Sequence, residues 1–560
     1  MGADPRGLYW PEAEVSGLQP EHSQRGDWII LRLLKIGSAA ETCWCQPSYS
    51  TPHEYLGVKS TAAWNYAASP VWGGPEPTLL VDLRGKVSIL GAEVKKVGVS
   101  PLLQEKPNTP MKHIAFRIAA LFSLVLFSFA IPAQAQTGVR WHVDSNRVQG
   151  GDGLGWPNAI SSLDVALSEA LPGDEVWVAR GVYRPSVLQD PQDSRSAAFT
   201  VPLGVVLRGG FEGRETALGQ RGENFSPTTL SGNLGDLRDS SDNAYHVVLS
   251  TGDTDVTYLA SGLDGFSIRD GNADRGGYAR GAGLRVSGGF LRIQNCTFED
   301  NFSLLGGATY VTGANVRIKS TAWINNVTAG RGGGLSIQAA RCQVVNAHFA
   351  GNTADRGGAI YAHSIESFVP GLEPPVSFVN VIISNNVANR GGGVFLQGSQ
   401  WSGAGGASFS HCTISRNQAF EGGGGVFART GTPIPAICLI QNSIVWENYA
   451  PTSPDLAGRQ VVAFSNISDG VWGGLGNMST DPLFVDPGAG DFHLRNQSPC
   501  IDAGSNELVE ADLADLDGDG IRFEAVPMDA DGQRRLMDDR QVVDTGVGVG
   551  PIVDLGAYER

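Results

Sequence analysis

Lysine is nearly absent from most of this chain. Seven lysines lie before residue 137 and a single one, Lys319, after it. Charged residues make up 18% of the 560, and the formal net charge is −16. A sparse, net-acidic surface excludes nucleic acid and an anionic membrane surface as partners. Long hydrophobic runs are scarce as well. The apolar stretch IAALFSLVLFSFAI, residues 118–131, is too short and wrongly flanked for a comfortable membrane span. Glycine is what the chain has in excess. Its 74 glycines, with the low charge, suit a turn-rich β protein.

The lysine boundary coincides with a second start. MKHIAFR from Met111 supplies a basic segment, the apolar run follows, and PAQAQ puts Ala133 and Ala135 at the small-residue positions of a cleavage site. That is the order of a secretory signal peptide, residues 111–135, with cleavage after Ala135 and a mature chain from Gln136. Residues 1–110 show neither repeats nor sustained periodicity and read as a non-native or unstructured upstream extension. The alternative is a signal-anchor with a cytoplasmic tail, which leaves the cleavage site unexplained. No stable transmembrane domain is expected after cleavage.

From Arg280 to Asn448 one short pattern is written six times. Its first half reads RGAGLRV, LGGATYV, RGGGLSI, RGGAIYA, RGGGVFL and GGGGVFA; its second reads FEDN, WINN, FAGN, ISNN, ISRN and VWEN. Copies lie 25 or 26 residues apart, then 31 to 34 where loops are inserted at 366–375 and 398–406. A fixed period of this length predicts a solenoid whose coils bury their apolar faces against one another. Three apolar columns recur per coil: Leu284 and its counterparts after the Gly pair, Ile293 and its counterparts, and the first residue of each FxxN. Period-two alternation around them marks three short strands, hence an all-β parallel β-helix over residues 136–480. The residues Asn301, Asn326, Asn352, Asn386, Asn417 and Asn448 recur at one turn, where Asn tolerates left-handed backbone, and predict a stacked amide ladder.

Between the mature start and the first coils the order is strand, Gly-rich turn, helix, turn, strand. Ser161 and Asp164 have capping-box spacing, and Leu163, Leu167, Ala170 and Leu171 share a helical face. This helix is expected to cover the open end of the core. Residues 481–560 form an irregular acidic C-terminal segment.

These segments resemble the bacterial secreted right-handed parallel β-helix proteins of the pectate-lyase-like group. The GGA[ILV] and FxxN pairing is similar to the repeats of the polymorphic outer membrane proteins. DPLFVDPGAGDFHLRNQSPCIDAGSN, DADGQRR and VDLGAYER resemble the choice-of-anchor segment of such proteins. The resemblance implies a right-handed coil and a secreted or cell-surface life, outer-membrane association included. The polymorphic proteins also carry a membrane β-barrel. No set of ten-residue alternating strands follows the repeats here, so self-insertion is not expected.

The cysteines of the mature region read as fillers of inward stacks. Cys296 and Cys412 share one column, Cys342 and Cys438 another. At about 4.8 Å per coil, Cys296 and Cys412 lie roughly 19 Å apart, well beyond the Cα separation of about 7 Å that a disulfide spans. All four are expected to be free thiols.

A catalytic site is harder to find. Pectate-lyase-like enzymes cluster carboxylates on an outer face with an Arg or Lys as base. Between 280 and 448 the acids are Glu299, Asp300, Asp355, Glu366, Glu373, Glu421 and Glu447, and no two share a column in adjacent coils. The RIK at 317–319, containing Lys319, lacks such partners. An acid-rich stretch with Asp253, Asp255, Asp264, Asp270 and Asp274 is a candidate site in the early coils, or a set of solvated turns. Near the C-terminus, Asp515, Asp517 and Asp519 followed by Gly520 open like a calcium loop, with Val526 at the position of the bidentate acid. Asp529 and Asp531 follow and are candidates to complete the shell. Calcium is thus the candidate cofactor.

One outward column reads Arg285, Tyr310, Ser336, Tyr361, Phe395 and Phe427. Tyr310, Tyr361, Phe395 and Phe427 would form an aromatic strip fit for the flat faces of sugars, unless the inserted loops fold over it. The reading is a secreted or surface-exposed scaffold for binding or adhesion, with polysaccharide or a cell-surface glycan as partner. A polysaccharide lyase or glycoside hydrolase of the same fold, and a structural envelope protein, are the alternatives. Oligomeric state is open.

Overall fold

The computed structural model describes residues 138–147, 151–222, 227–252, 260–363, 375–398, 406–430, 435–512, 515–516, 519–521 and 524–560, plus the backbone of three short strands nearer the N-terminus. The chain divides into two compact units, Met1–Ile131 and Pro132–Arg560. In the first, Trp28–Arg32, Thr78–Asp82 and Val87–Leu90 pair antiparallel. The expected signal sequence and Ala135 lie outside the described residues. No helix among the described residues is long and apolar enough to cross a membrane.

The second unit is a right-handed parallel β-helix. One sheet stacks the Gly-pair strands, from Phe199–Val201 through Leu284–Ser287 and Leu335–Gln338 to Leu456–Gly458. A larger sheet holds two strand runs per coil, fused in the middle of the stack into single strands such as Asn315–Ile324 and Arg341–Ala350. A third, narrower sheet runs from Asn272–Ala273 to Gln418–Gly422. The Gly-pair strands pair parallel and in the register of the repeat: Leu284, Thr309, Leu335, Ile360, Val394 and Val426 face one another in turn. These columns, with Phe298, Trp323 and Phe349 below them, make one continuous core. Flat rings stack from coil to coil inside it, Trp323 on Phe349 at 4.4 Å and 1°.

The Gly pairs follow from how closely the coils approach. Gly332 sits at φ +64°, and a Cβ on it would meet the Leu335 carbonyl oxygen at 2.3 Å. No L side chain satisfies both demands at once. The ladder asparagines are not the left-handed residues of their turn. That conformation belongs to the residue before each: Asp300, Asn325, Gly351, Asn385, Arg416 and Glu447. The ladder side chain instead points inward, where it can bond.

The helix Leu163–Glu169 buries Leu163, Ala166 and Leu167 against the first coil and belongs to the main core. The capping box is absent. Ser162 is the N-cap residue, without a side-chain cap bond, and the Asp164 carboxylate accepts from Ser186 N and Oγ at 2.8 and 2.6 Å. Leu171, expected on the buried face, is exposed.

The C-terminal segment folds back along the outside of the larger sheet. Val526, with Val509 and Leu516 beside it, covers outward-pointing Val345 and Val379. A second core of Phe484, Phe492, Leu494, Ile501 and Leu555 packs on Ile382 and Ile444. Arg535 is wholly buried beneath it, donating to Asn380 Oδ1 at 2.9 Å and pairing with Glu559 at 3.3 Å.

Candidate functional site

The aromatic column keeps its predicted register, Tyr361 on Phe395 on Phe427, with centroids 5.8 and 5.2 Å apart. It is not an exposed strip. Tyr310, Tyr361 and Phe395 are 6%, 2% and 1% exposed, and Phe427 is half-buried. The cover is arginine. Arg280, Arg331 and Arg356, from the turn before the strand, lie over the rings of Tyr310, Tyr361 and Phe395 at 5.6, 5.2 and 5.7 Å. An outward ring is a large apolar surface, and a guanidinium stacks on it at little desolvation cost. The rings therefore present no flat face to a sugar, which corrects the expectation of an open platform. The inserted loops lie mostly outside the described residues.

Asn301, Asn326, Asn352, Asn386, Asn417 and Asn448 form one directional chain. Each Oδ1 accepts the backbone N–H of the Asn before it, and its Nδ2 as well: Asn326 donates twice to Asn352 at 3.0 Å, and Asn352 twice to Asn386 at 2.9 Å. Gly271 N opens the chain on Asn301. Asp455 closes it, its Oδ1 accepting from Asn448 N and Nδ2 at 3.3 and 2.9 Å. This is interior structure, with five of the six asparagines at 0 or 1% exposure.

The acids of the predicted calcium loop are otherwise engaged. Asp529 is buried, with Oδ1 accepting from Asp531 N and Gln533 N and Oδ2 from Glu559 N. Asp531 bonds His493 at 2.7 Å, Asp515 accepts from Gly520 N, and Asp519 from Ile521 N. Asp517 lies outside the described residues. No three of Asp515, Asp519, Asp529 and Asp531 bring carboxylate oxygens within 4.8 Å of one another. Lys319 is no catalytic base either: its Nζ donates to the carbonyls of Asp515 and Leu516 at 3.0 and 3.3 Å, tying down the C-terminal segment.

The early coils hold a cleft of about 970 Å³. Asp270, Asp274 and Asp300 line it with Arg184, Arg238 and Arg269, Asn233 and Asn272, and the exposed Phe302 and Leu237. Asp264, from the same acid-rich stretch, lies elsewhere. It is buried and held by Arg208, Arg221 and Asn295 at 2.8 to 3.0 Å, a structural ion cluster. Asp253 and Asp255 fall outside the described residues.

Two carboxylates of the cleft stack. The register Arg269 with Glu299 puts Asp270 beside Asp300 in the next coil, both in left-handed backbone. Adjacent coils are about 4.8 Å apart. Asp270 Oδ2 accepts from Ser231 Oγ at 2.7 Å and from Arg269 Nε at 3.2 Å, and Arg269 reaches Asp300 at 4.0 Å. Burial, with Glu299 and Asp270 nearby, holds the Asp300 carboxyl above its ordinary range, against the pull of Arg269. Arg195 stiffens the floor by donating to the carbonyls of Asn243 and Asn272 at 2.7 and 2.9 Å. A column comparison confined to residues 280–448 passes over this pair. Aligning IRDG with FEDN finds it.

No protein-family model matches the chain, and no curated protein matches it. Among solved structures, pectate lyase Pel9A is similar with a TM-score of 0.37 and 12% identity over 75% of this chain and 96% of that one. A rhamnogalacturonan lyase is similar with a TM-score of 0.35 and 10% identity over 62% and 91%. No site residue carries over at such identity.

Proposed function

We propose that the mature protein is a secreted or surface-exposed β-helix scaffold that binds polysaccharide in the cleft at Asp270 and Asp300. The lining of that cleft supports the reading. Sugars offer dense hydroxyls and small apolar faces, and the cleft combines carboxylates, side-chain amides and guanidiniums with Phe302 and Leu237. Arg184 and Arg238 are exposed and pair with no carboxylate among the described residues, which suits a chain bearing acidic sugars. The volume is at the upper end of ordinary ligand clefts, about 300–1,000 Å³. A glycan array with the secreted form tests this. Binding to acidic polysaccharide that weakens tenfold or more in an Arg184→Ala, Arg238→Ala double variant is the expected result, each lost charge-assisted contact being worth about 1–3 kcal/mol. Absence of binding to any acidic or neutral glycan rejects the reading.

Cleavage is the second reading, favoured by one observation: Asp270 and Asp300 share an outer column in adjacent coils. A coil spacing of about 4.8 Å lets their carboxyls reach the separation of about 5–5.5 Å that retaining glycosidases use. The raised Asp300 would serve as the acid and Asp270 as the second carboxylate. Product analysis separates the two. New reducing ends that vanish in Asp270→Asn and Asp300→Asn mean an enzyme; bound but uncut polymer means a scaffold.

A further inference from the structure

Three aspartates outside the cleft and outside the predicted calcium loop meet in the C-terminal segment. Carboxylate oxygens of Asp502, Asp538 and Asp544 all lie within 4.8 Å of one another. Asp538 and Asp544 are exposed, but Asp502 is completely buried. Neither oxygen of the Asp502 carboxylate has a hydrogen-bond partner. Buried carboxylates are normally paired or bonded, because an isolated one is strongly disfavoured. This one faces two further acids. The backbone N–H of Asp539 lies near without reaching hydrogen-bonding geometry.

The backbone holds it there deliberately. Asp502 is in left-handed conformation, φ +51°. Its N–H donates to Asp554 Oδ1 at 2.7 Å, and its carbonyl accepts from Thr545 N and Gly546 N at 2.9 and 3.0 Å. The loop carrying Asp538 and Asp544 is thus wrapped on Asp502 by its own peptide groups. The basic side chains nearby leave the cluster uncompensated. Arg560 pairs with Asp539 at 3.5 Å, and Arg540, 92% exposed, reaches Asp538 only at 3.8 Å.

We propose that Asp502, Asp538 and Asp544 bind one calcium ion, which fastens the 538–546 loop to the body of the C-terminal segment. All the donors are carboxylate oxygens, with no imidazole or thiolate among them, which selects a hard cation. Calcium–oxygen distances of about 2.3–2.6 Å put ligands of one ion up to about 5 Å apart, the spacing found here. Water and peptide carbonyls complete its shell of about six to eight oxygens. The ion gives the orphaned Asp502 its counter-charge, and the site does not depend on what the cleft binds.

Calorimetric titration of chelator-stripped protein with calcium chloride, paired with thermal melts in calcium and in EDTA, tests the site. One ion per chain and a melting temperature several degrees higher in calcium are expected, the shift following mass action. Asp538→Asn and Asp544→Asn change exposed residues, so the fold persists, and each should weaken calcium binding at least tenfold. Asp519→Asn and Asp531→Asn, in the predicted loop, should leave binding intact. Asp502→Asn should abolish the calcium response and melt higher than wild type in EDTA, since its orphaned charge is gone. Should that variant fail to fold, the exposed pair still decides. No calcium heat and no melt shift, or a full shift retained in the Asp538→Asn, Asp544→Asn double variant, overturns the proposal.

Discussion

Asn352→Ala removes one link from the middle of the amide ladder. The wild-type side chain is fully buried and makes four hydrogen bonds: Nδ2 donates to Trp323 O and Asn386 Oδ1, and Oδ1 accepts from Asn326 N and Nδ2. Truncation leaves the Asn326 N–H, one Asn326 amide hydrogen and the Trp323 carbonyl without partners in an interior that water does not reach. At about 1–3 kcal/mol per orphaned group, partly relieved by relaxation, the loss is about 4 kcal/mol. Asn352→Asp should be at least as damaging. It keeps the acceptor but aims a second oxygen at Trp323 O and Asn386 Oδ1, and buries a charge as well. Position 455 behaves differently, because the last link only accepts. Denaturant unfolding followed by emission of Trp323 and its neighbours gives the free energies. A loss under about 1 kcal/mol in Asn352→Ala, or an Asp variant more stable than the Ala variant, refutes the directional ladder.

Asp455 carries a pH signature. Burial, outweighing the donors around it, pushes its carboxyl up to about 6 from 3.8. A raised acid stabilises the fold fully below the unfolded value and loses that contribution as pH rises through the folded one. Wild type should therefore lose about 2 kcal/mol relative to Asp455→Asn between pH 4 and pH 7, read from paired denaturant curves; parallel curves across that window would contradict it. Phe395→Ala should cost about 3–5 kcal/mol, because the ring is sandwiched between Tyr361 and Phe427 under Arg356. A melting temperature unchanged from wild type would show that the stack does not pack. Cys296, Cys342, Cys412, Cys438 and Cys500 are free and buried. Burial pushes the thiols of Cys296, Cys342, Cys412 and Cys500 up to about 12. A thiol reagent should find none of the five in native protein comprising residues 136–560 and all five in denaturant without reductant; fewer in denaturant means a disulfide and a different coil register.

The solenoid, its three columns and its Asn ladder were legible because each coil repeats the environment of the last. An interior position then appears six times in the sequence, and chance patterns average out. Leu284 to Val426 and Asn301 to Asn448 are placed by period alone. The same reasoning put the aromatic column on the outer side of its strand, which alternation settles. It did not reveal the arginines lying over that column. Which groups cover an outward face depends on side chains reaching across from other turns. Val345 and Val379, adjacent apolar residues in an outward column, are a local hint that the larger sheet is covered. The chain gives no period for the segment that covers it. Asp270 and Asp300 come together through coil register, and a wider alignment shows them. Asp502, Asp538 and Asp544 come together only because a non-repeating segment closes on itself. Local periodicity determines the coil, since backbone pairing and burial recur at short range; contacts between parts that never repeat are decided by the tertiary fold, where a single low-energy packing selects them.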